Sequence, residues 1–425
     1  MTDKVNLNEI EKKIGYNERK KAGDTMIVGI IGAGASGMAA ALAAAEDPQT
    51  QVLLFERQVR VGRKLQATGN GRCNLTNLHA NKQGFHGEDP SFAAPALAAF
   101  GPEAALAWFE TLGLLTVAEP SGRVYPYSDQ ANSVVDVLRF GLDKPNIRLI
   151  CGCEVSKLRR CEGGFEITAE ESYFCHRVII ACGGLAGTKL GGSMAGYKLL
   201  AKLGHHSTRL RPALVQLKSQ WGGIAGLKGV RANCKATILR EAVPMAESAG
   251  ELQFTEYGLS GPVIFEISRD VCQDKARWSC RLDFLPQLTE AALFGLLEAR
   301  RATALPVEEL LTGILHNRLG RVLTRAAGVR SGLISQLTED ELLRVCKAVK
   351  GFEVSLTEPL GMDSAQVTAG GILTSEFDPH TMESRLVPGL YACGEVLDID
   401  GDCGGYNLQW AWSSGRMAGS NAGKE

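Results

Sequence analysis

No two cysteines in this 425-residue chain are spaced C-x-x-C, which removes the main signal for zinc ribbons and thioredoxin-type redox sites. The twelve cysteines are scattered, with only Cys151 and Cys153 close together. Buried, reduced thiols in a cytoplasmic protein are therefore expected rather than a disulfide framework. Neither sign of charge is in excess: 46 Lys+Arg against 47 Asp+Glu leave −1. That balance, with no cluster of basic and aromatic residues, speaks against a nucleic-acid partner. Internal repeats and low-complexity tracts are also missing. From Met26 to Ala45 there is no charged residue, a run that mimics a signal peptide or short membrane helix. Gly29, Gly32, Gly34 and Gly37 interrupt it, so a strand, a turn and a helix are expected instead, with no membrane partner.

Glycine is the residue in excess. Forty-nine glycines are about 12% of the chain, against a usual share of roughly 7%. They cluster beside apolar runs, as expected where backbone turns tightly or approaches a ligand. The length suggests two or three domains, and 45% apolar residues suffice for a core. Ile27–Ile31 reads as a buried parallel strand, followed by a helix to about Asp47 and a second strand at Gln51–Glu56. Beyond a long loop come helices at Pro102–Leu112 and Asp129–Leu142 and strands at Ile147–Cys151, Val155–Arg160, Phe165–Ala169 and Arg177–Ala181.

After residue 205 the pattern changes. Strands are expected at Leu214–Leu217, Lys235–Leu239, Leu252–Thr255 and Ser279–Phe284, and amphipathic helices at Thr289–Ala304, Val307–Ala327 and Thr338–Ala348. Glycine-rich α/β character returns at Ala365–Thr374, with a strand at Leu390–Gly394 and a last helix at Tyr406–Gly423. The expected fold class is α/β: a Rossmann-like dinucleotide-binding domain split by a β-rich insertion that carries a helical subdomain. Its parts are an N-terminal extension at 1–24, the nucleotide domain at 25–204 and 358–425, the β-rich insertion at 205–288 and 349–357, and the helices at 289–348.

Gly32-x-Gly34-x-x-Gly37 follows a strand, opens a helix, and has Glu56 at the end of the next strand. In that context the first glycine allows the turn, the second admits a pyrophosphate, and the third lets helix pack on strand. The phosphates then meet the positive helix N-terminus. Glu56 can accept from ribose hydroxyls and repels a 2′-phosphate, which leaves FAD or NAD. A long polar loop separates these two. Arg57–Asn77, with Arg63-Lys64 and T-G-N-G-R-C-N at 68–74, is superfluous in an NAD domain but suits a flavin, through Arg63, Lys64 and Asn74. Cys73 is alone there, so a redox-active disulfide is not expected. Gly404-Gly405 before the last helix lets a flat ring approach a helix N-terminus, whose dipole stabilises the negative charge of a reduced flavin.

V-G-I-I-G-A-G-A-S-G, T-G-N-G-R-C-N, A-C-G-G, F-T-E-Y-G-L-S-G-P, V-T-A-G-G-I, T-M-E-S and G-L-Y-A-C-G-E-V-L-D-I-D-G-D-C-G-G-Y-N-L-Q-W-A together resemble the bacterial flavoproteins that include aminoacetone oxidase and the 3-dehydro-bile acid Δ4,6-reductases, over about residues 26–423. The resemblance implies a glutathione-reductase-like FAD fold. It places FAD contacts at Ala35, Ser36, Glu56, Arg57, Arg63, Lys64, Gly69, Asn74, Val155, Gly394, Asp398, Gly405, Asn407 and Leu408. Gly32, Gly34 and Gly37, with Asn70, Gly183, Glu395 and Tyr406 from the same glycine-bearing segments, complete the candidate set. Glu256 stands where many relatives have His, and residues 1–24 have no clear counterpart.

No second G-x-G-x-x-G occurs, so NAD(P)H is expected as a transient reductant that visits the substrate's face of the flavin. Arg123, Glu256 and Tyr257 are polar candidates for the substrate cleft, and no catalytic residue is assigned. His205-His206 lacks partners at ligand spacing, so no metal is expected. The resemblance implies hydride transfer through flavin N5 to a conjugated C=C bond of a hydrophobic ketone, a small-molecule substrate. The alternatives are oxidation of aminoacetone or a similar amine by O₂ and, in another class, an RNA-binding or RNA-modifying flavoprotein.

Overall fold

The computed structural model describes residues 25–424 apart from 82, 270 and 272; the N-terminal extension at 1–24 lies outside the described residues. The β-branched run Ile27–Ile31 becomes the middle strand of a five-stranded parallel sheet, in the order Leu390–Ala392, Arg177–Ile180, Ile27–Ile31, Gln51–Glu56, Ile147–Cys151. Val28, Ile30, Val52, Leu54, Val178 and Ile180 are buried between covering layers, which is why these strands read as continuous apolar runs. An antiparallel three-stranded ribbon, Lys157–Cys161, Gly164–Thr168 and Ser172–Cys175, lies on the same unit. The uncharged run Met26–Ala45 is thus a core strand, a turn and the buried helix Ala35–Ala44. No single helix among the described residues is long and apolar enough to cross a membrane; Pro90–Ala99 and Pro102–Thr111 pass by length and composition only together, and are bent by 46°.

The alanines of the first helix have a structural cause in the last one, Tyr406–Ala422. Side-chain positions at Gly415, Gly419 and Gly423 would meet backbone of Ser36, Ala40 and Ala44 at 2.4, 2.2 and 2.9 Å. Three glycines at spacing four face three small residues at spacing four, so the two helix backbones touch along their length.

The insertion is a six-stranded antiparallel sheet in the order Leu217–Lys218, Gly258–Ser260, Val243–Phe254, Arg231–Arg240, Trp278–Asp283, Phe352–Leu356. Helices Glu290–Ala299, Asn317–Ala326 and Glu339–Lys350 bury Leu293, Leu297, Leu319, Leu323, Leu342 and Val345 with that sheet in a core distinct from the core around the parallel sheet. These two cores are the ground on which we propose the domain limits given above.

Several elements differ from expectation. Leu214–Leu217 is not one strand: Arg211–Ala213 pairs with Val367–Ala369 and Leu217–Lys218 joins the insertion sheet, because Leu214 adopts φ 49° between them. The strand expected at Val155–Arg160 runs from Lys157 to Cys161. Val307–Ala327 is a short turn, Val307–Glu309, and a separate helix, Asn317–Ala326, with Gly313 at φ 80° between the two. Short helices at Ala94–Ala99, Ala195–Ala201 and Pro262–Ile267 escape a periodicity reading, since two turns or fewer hold too few apolar positions.

Candidate active site

A cavity of about 710 Å³ runs from the glycine turn, past the tips of the parallel strands, to the inner wall of the insertion. The three fingerprint glycines do three different things there. Gly32 sits at φ 107°, and a side chain on it would lie 2.5 Å from the carbonyl of Ala181, so the turn passes against the neighbouring strand. A side chain on Gly37 would lie 1.8 Å from the carbonyl of Gly32, while one on Gly34 would meet nothing within 4 Å. Gly34 therefore opens into the cavity, in front of a helix with no side-chain cap. Its first residues, Ala35 and Ser36, line the same space, at the end where a helix leaves its N–H groups unpaired.

Glu56 ends its strand beside that turn. Its carboxylate accepts from the Ala33 N–H at 2.9 Å and the Gln58 N–H at 2.8 Å, which orients it while leaving lone pairs toward the cavity. Arg57 donates to the Gly191 carbonyl at 2.6 Å, and Arg63 to Gln58 at 2.9 Å. Lys64 pairs with Glu395 at 2.8 Å, and the other Glu395 oxygen accepts from the Thr368 N–H at 2.8 Å. The T-G-N-G-R-C-N block is a left-handed turn, with Gly69, Asn70, Gly71 and Cys73 all at positive φ. It leads into a strand against the last helix, where Thr76 donates to Gln409 at 2.6 Å and Asn77 to the Gly404 carbonyl at 2.9 Å. Burial pushes the Cys73, Cys182 and Cys403 thiols up to about 12, so none is a thiolate near neutral pH.

All the candidate residues line the cavity except Gly37, Gly394, Asp398 and Tyr406. Each exception makes a contact within the protein. Gly37 packs the first helix on the turn, and Gly394, at φ 74°, makes room for the Ser36 hydroxyl. Asp398 is buried and accepts from the Glu88 N–H at 3.1 Å. Tyr406 packs edge-on against Phe85, with ring centroids 5.7 Å apart. Of the polar cleft candidates, Arg123 lines the cavity; Glu256 and Tyr257 do not, and Glu256 pairs with Lys228 on the surface. His205 and His206 do have a carboxylate neighbour in space, Glu376, at 2.8 and 2.7 Å.

The insertion's wall, including Leu214 and Gln216 between strands, Arg231 and Gln253 on strands, and Phe265 on the short helix Pro262–Ile267, escaped the sequence reading, because single residues that face a ligand from separate elements share no local signature. Glu266, next to Phe265, escaped it too. Burial, reinforced by Asp402, pushes its carboxyl up to about 7 against the opposing pull of the Cys403 N–H, Arg123 and His86.

Residues 26–421 match the family described as HI0933-like protein Rossmann domain. The chain belongs to that family. The resemblance read from the motif blocks is borne out over nearly the same span. The chain is 40% identical over 406 residues to the 3-dehydro-bile acid delta(4,6)-reductase of Clostridium scindens, covering 93% of this chain and 98% of the relative. It is 31% identical over 408 residues to the ribosomal RNA dihydrouridine synthase of Escherichia coli, covering 91% and 95%. Among solved structures, 3-ketosteroid delta1-dehydrogenase from Sterolibacterium denitrificans superposes with a TM-score of 0.50 at 13% identity, over 94% of this chain and 99% of that one, a likeness of fold. The family member described here is an FAD-dependent oxidoreductase on a Rossmann-like FAD-binding fold.

Proposed function

We propose that this protein reduces a carbon–carbon double bond conjugated with a carbonyl in a hydrophobic ketone, a 3-oxo-4,6-diene steroid acid being the nearest type, with NAD(P)H as electron donor. The observation that carries this reading is the 40% identity, over almost the whole of both chains, to a reductase named for that substrate class.

FAD is supported by groups that await a ligand. The buried Asn74 Oδ1 has no hydrogen-bond partner, and Gly34 and Gly183 leave open space where side chains would stand. In this reading Gly32, Gly34, Ala35 and Ser36 hold the pyrophosphate, and Glu56 the adenosine ribose. Arg57, Arg63, Lys64, Gly69, Asn70, Asn74, Val155, Gly183, Glu395, Gly405, Asn407 and Leu408 line the rest of the cofactor's path. Gly37, Gly394, Asp398 and Tyr406 shape that path from behind. When bound, FAD supplies a two-electron carrier that accepts hydride from NAD(P)H and passes it to the substrate. The chain's own residues orient both partners and wall the site from water.

The identity to a dihydrouridine synthase favours a second reading, with uridine in RNA as substrate. The two share their chemistry, since the double bond of uracil is also conjugated with a carbonyl. The site's charge favours the first: its lining holds six cationic and five acidic side chains, an excess of one, where a groove that tracks an RNA backbone is strongly positive.

Heat-denatured protein is expected to release FAD, not FMN, identified by chromatography. Under nitrogen NADH or NADPH should bleach the bound flavin, and a 3-oxo-4,6-diene steroid should restore its colour, each as a separate half-reaction. Recolouring by a uridine-containing RNA and not by the steroid would transfer the assignment to the second reading. Bleaching by aminoacetone but by neither nucleotide, with peroxide formed in air, would make the protein an amine oxidase.

A further inference from the structure

Of the six cations that line the cavity, five are engaged. Arg57, Arg63, Lys64, Arg72 and Arg231 each donate to a protein oxygen or pair with a carboxylate. The Arg123 guanidinium makes no hydrogen bond and no ion pair with any described residue. It projects from the strand Arg123–Pro126, whose backbone pairs with Thr76 and Asn77. The position a side chain would take on Gly404 lies 2.8 Å from Arg123 Nε. The guanidinium therefore occupies the space that Gly404 leaves empty, one residue before the glycine that opens the last helix. The side chain is half-buried at the wall of the cavity, and its five N–H donors, unclaimed by protein, are free to meet an oxygen that enters there.

Across this wall stands Glu266, on the insertion helix Pro262–Ile267. Arg123, Asp402, Cys403 and His86 surround its carboxyl. One turn further, Arg269 pairs with the buried Asp400, which fastens the insertion to the loop carrying Gly404. The arrangement brings together an unpaired cation facing the cavity and a carboxyl of adjustable charge behind it.

We propose that Arg123 holds the carbonyl oxygen of the substrate and stabilises the negative charge that develops there, and that Glu266 is a positioning residue that tempers the charge of Arg123. The proposal rests on the reductive reading above. When hydride reaches the carbon β to the carbonyl, the π electron pair of the double bond moves onto the oxygen as an enolate. A proton then closes the α-carbon, so the substrate gains two electrons and two hydrogens. The hydride's two electrons come from the nicotinamide nucleotide and the second hydrogen is a proton from solvent. Most of the enolate's charge resides on the carbonyl oxygen, and a preorganised donor there lowers the barrier because it need not reorient.

Arg123→Gln is expected to keep its FAD and its rate of bleaching by NAD(P)H, and to slow recolouring by the enone by on the order of 10²–10³-fold, as for loss of one oxyanion donor. Arg123→Lys should recover part of that loss, since it keeps the charge but not the fork. A readout independent of turnover is binding of 4-nitrophenol to the oxidised holoenzyme. The parent should favour the yellow phenolate, and Arg123→Gln should weaken phenolate binding by about tenfold or more. In the parent, recolouring should slow as pH rises through about 7, because ionised Glu266 offsets the charge of Arg123; in Glu266→Gln that pH dependence should be lost.

If Arg123→Gln loses FAD, the guanidinium serves the cofactor, and the proposal is overturned. Equal binding of the phenolate by parent and variant overturns it as well, as does a parent that binds none. An unchanged pH profile in Glu266→Gln overturns the part given to Glu266. Should no enone recolour the parent, the reductive reading itself has failed, while the phenolate titration still decides what Arg123 binds.

Discussion

Glu56→Ala is expected to lose FAD at least tenfold more readily than the parent, measured as flavin retained after dilution and filtration. A hydrogen bond to a charged acceptor contributes roughly 1.5–3 kcal/mol, and about 1.4 kcal/mol is already tenfold in affinity. A ribose offers two hydroxyls to this carboxylate. The structure adds a second source of loss: the same carboxylate accepts from the Ala33 and Gln58 N–H groups, so its removal also frees the two backbone segments that frame the glycine turn. Glu56→Gln keeps one acceptor and the side-chain shape, and should fall between parent and Ala variant. Retention equal to the parent in Glu56→Ala would mean that the side chain does not hold the ribose.

The second large effect concerns stability. Gly419→Val should lower the urea midpoint of the parallel-sheet unit and weaken FAD retention along with it. A side chain at Gly419 would stand 2.2 Å from the Ala40 carbonyl and 2.8 to 2.9 Å from the adjoining backbone carbons. Backbone inside a helix cannot step aside as a flexible side chain can, so the two helices must separate. Overpacking of this kind costs about 1–3 kcal/mol and occasionally more. The first helix carries Ala35 and Ser36 at the cavity, which is how a substitution remote from the cofactor's path would reach it. Gly295→Ala is the control: exposed on the helix Glu290–Ala299, with nothing within 4 Å of the added carbon, it should stabilise by about 0.5–1 kcal/mol. An unfolding midpoint for Gly419→Val at or above the parent's would refute the backbone contact.

The sequence by itself determined the glycine turn and the carboxylate beside it, which we propose as the nucleotide half of the site. Gly32, Gly34, Gly37 and Glu56 lie within 25 residues, and a strand, a tight turn and a helix of fixed geometry leave one way to arrange them. The motif blocks determined the family in the same local manner. Even there, spacing could not say what each residue touches within the protein: Gly394 lies against Ser36, Asp398 accepts from the Glu88 N–H and Tyr406 packs on Phe85. Only the tertiary structure decided the opposite wall. Arg123 meets Gly404 across 281 positions of chain, and Glu266 comes from an insertion with its own core. That Arg123 is the cation without a hydrogen bond or ion pair among the described residues follows from where the other five cations of the cavity have gone. Such a fact depends on distances through space, and no local pattern of residues encodes it.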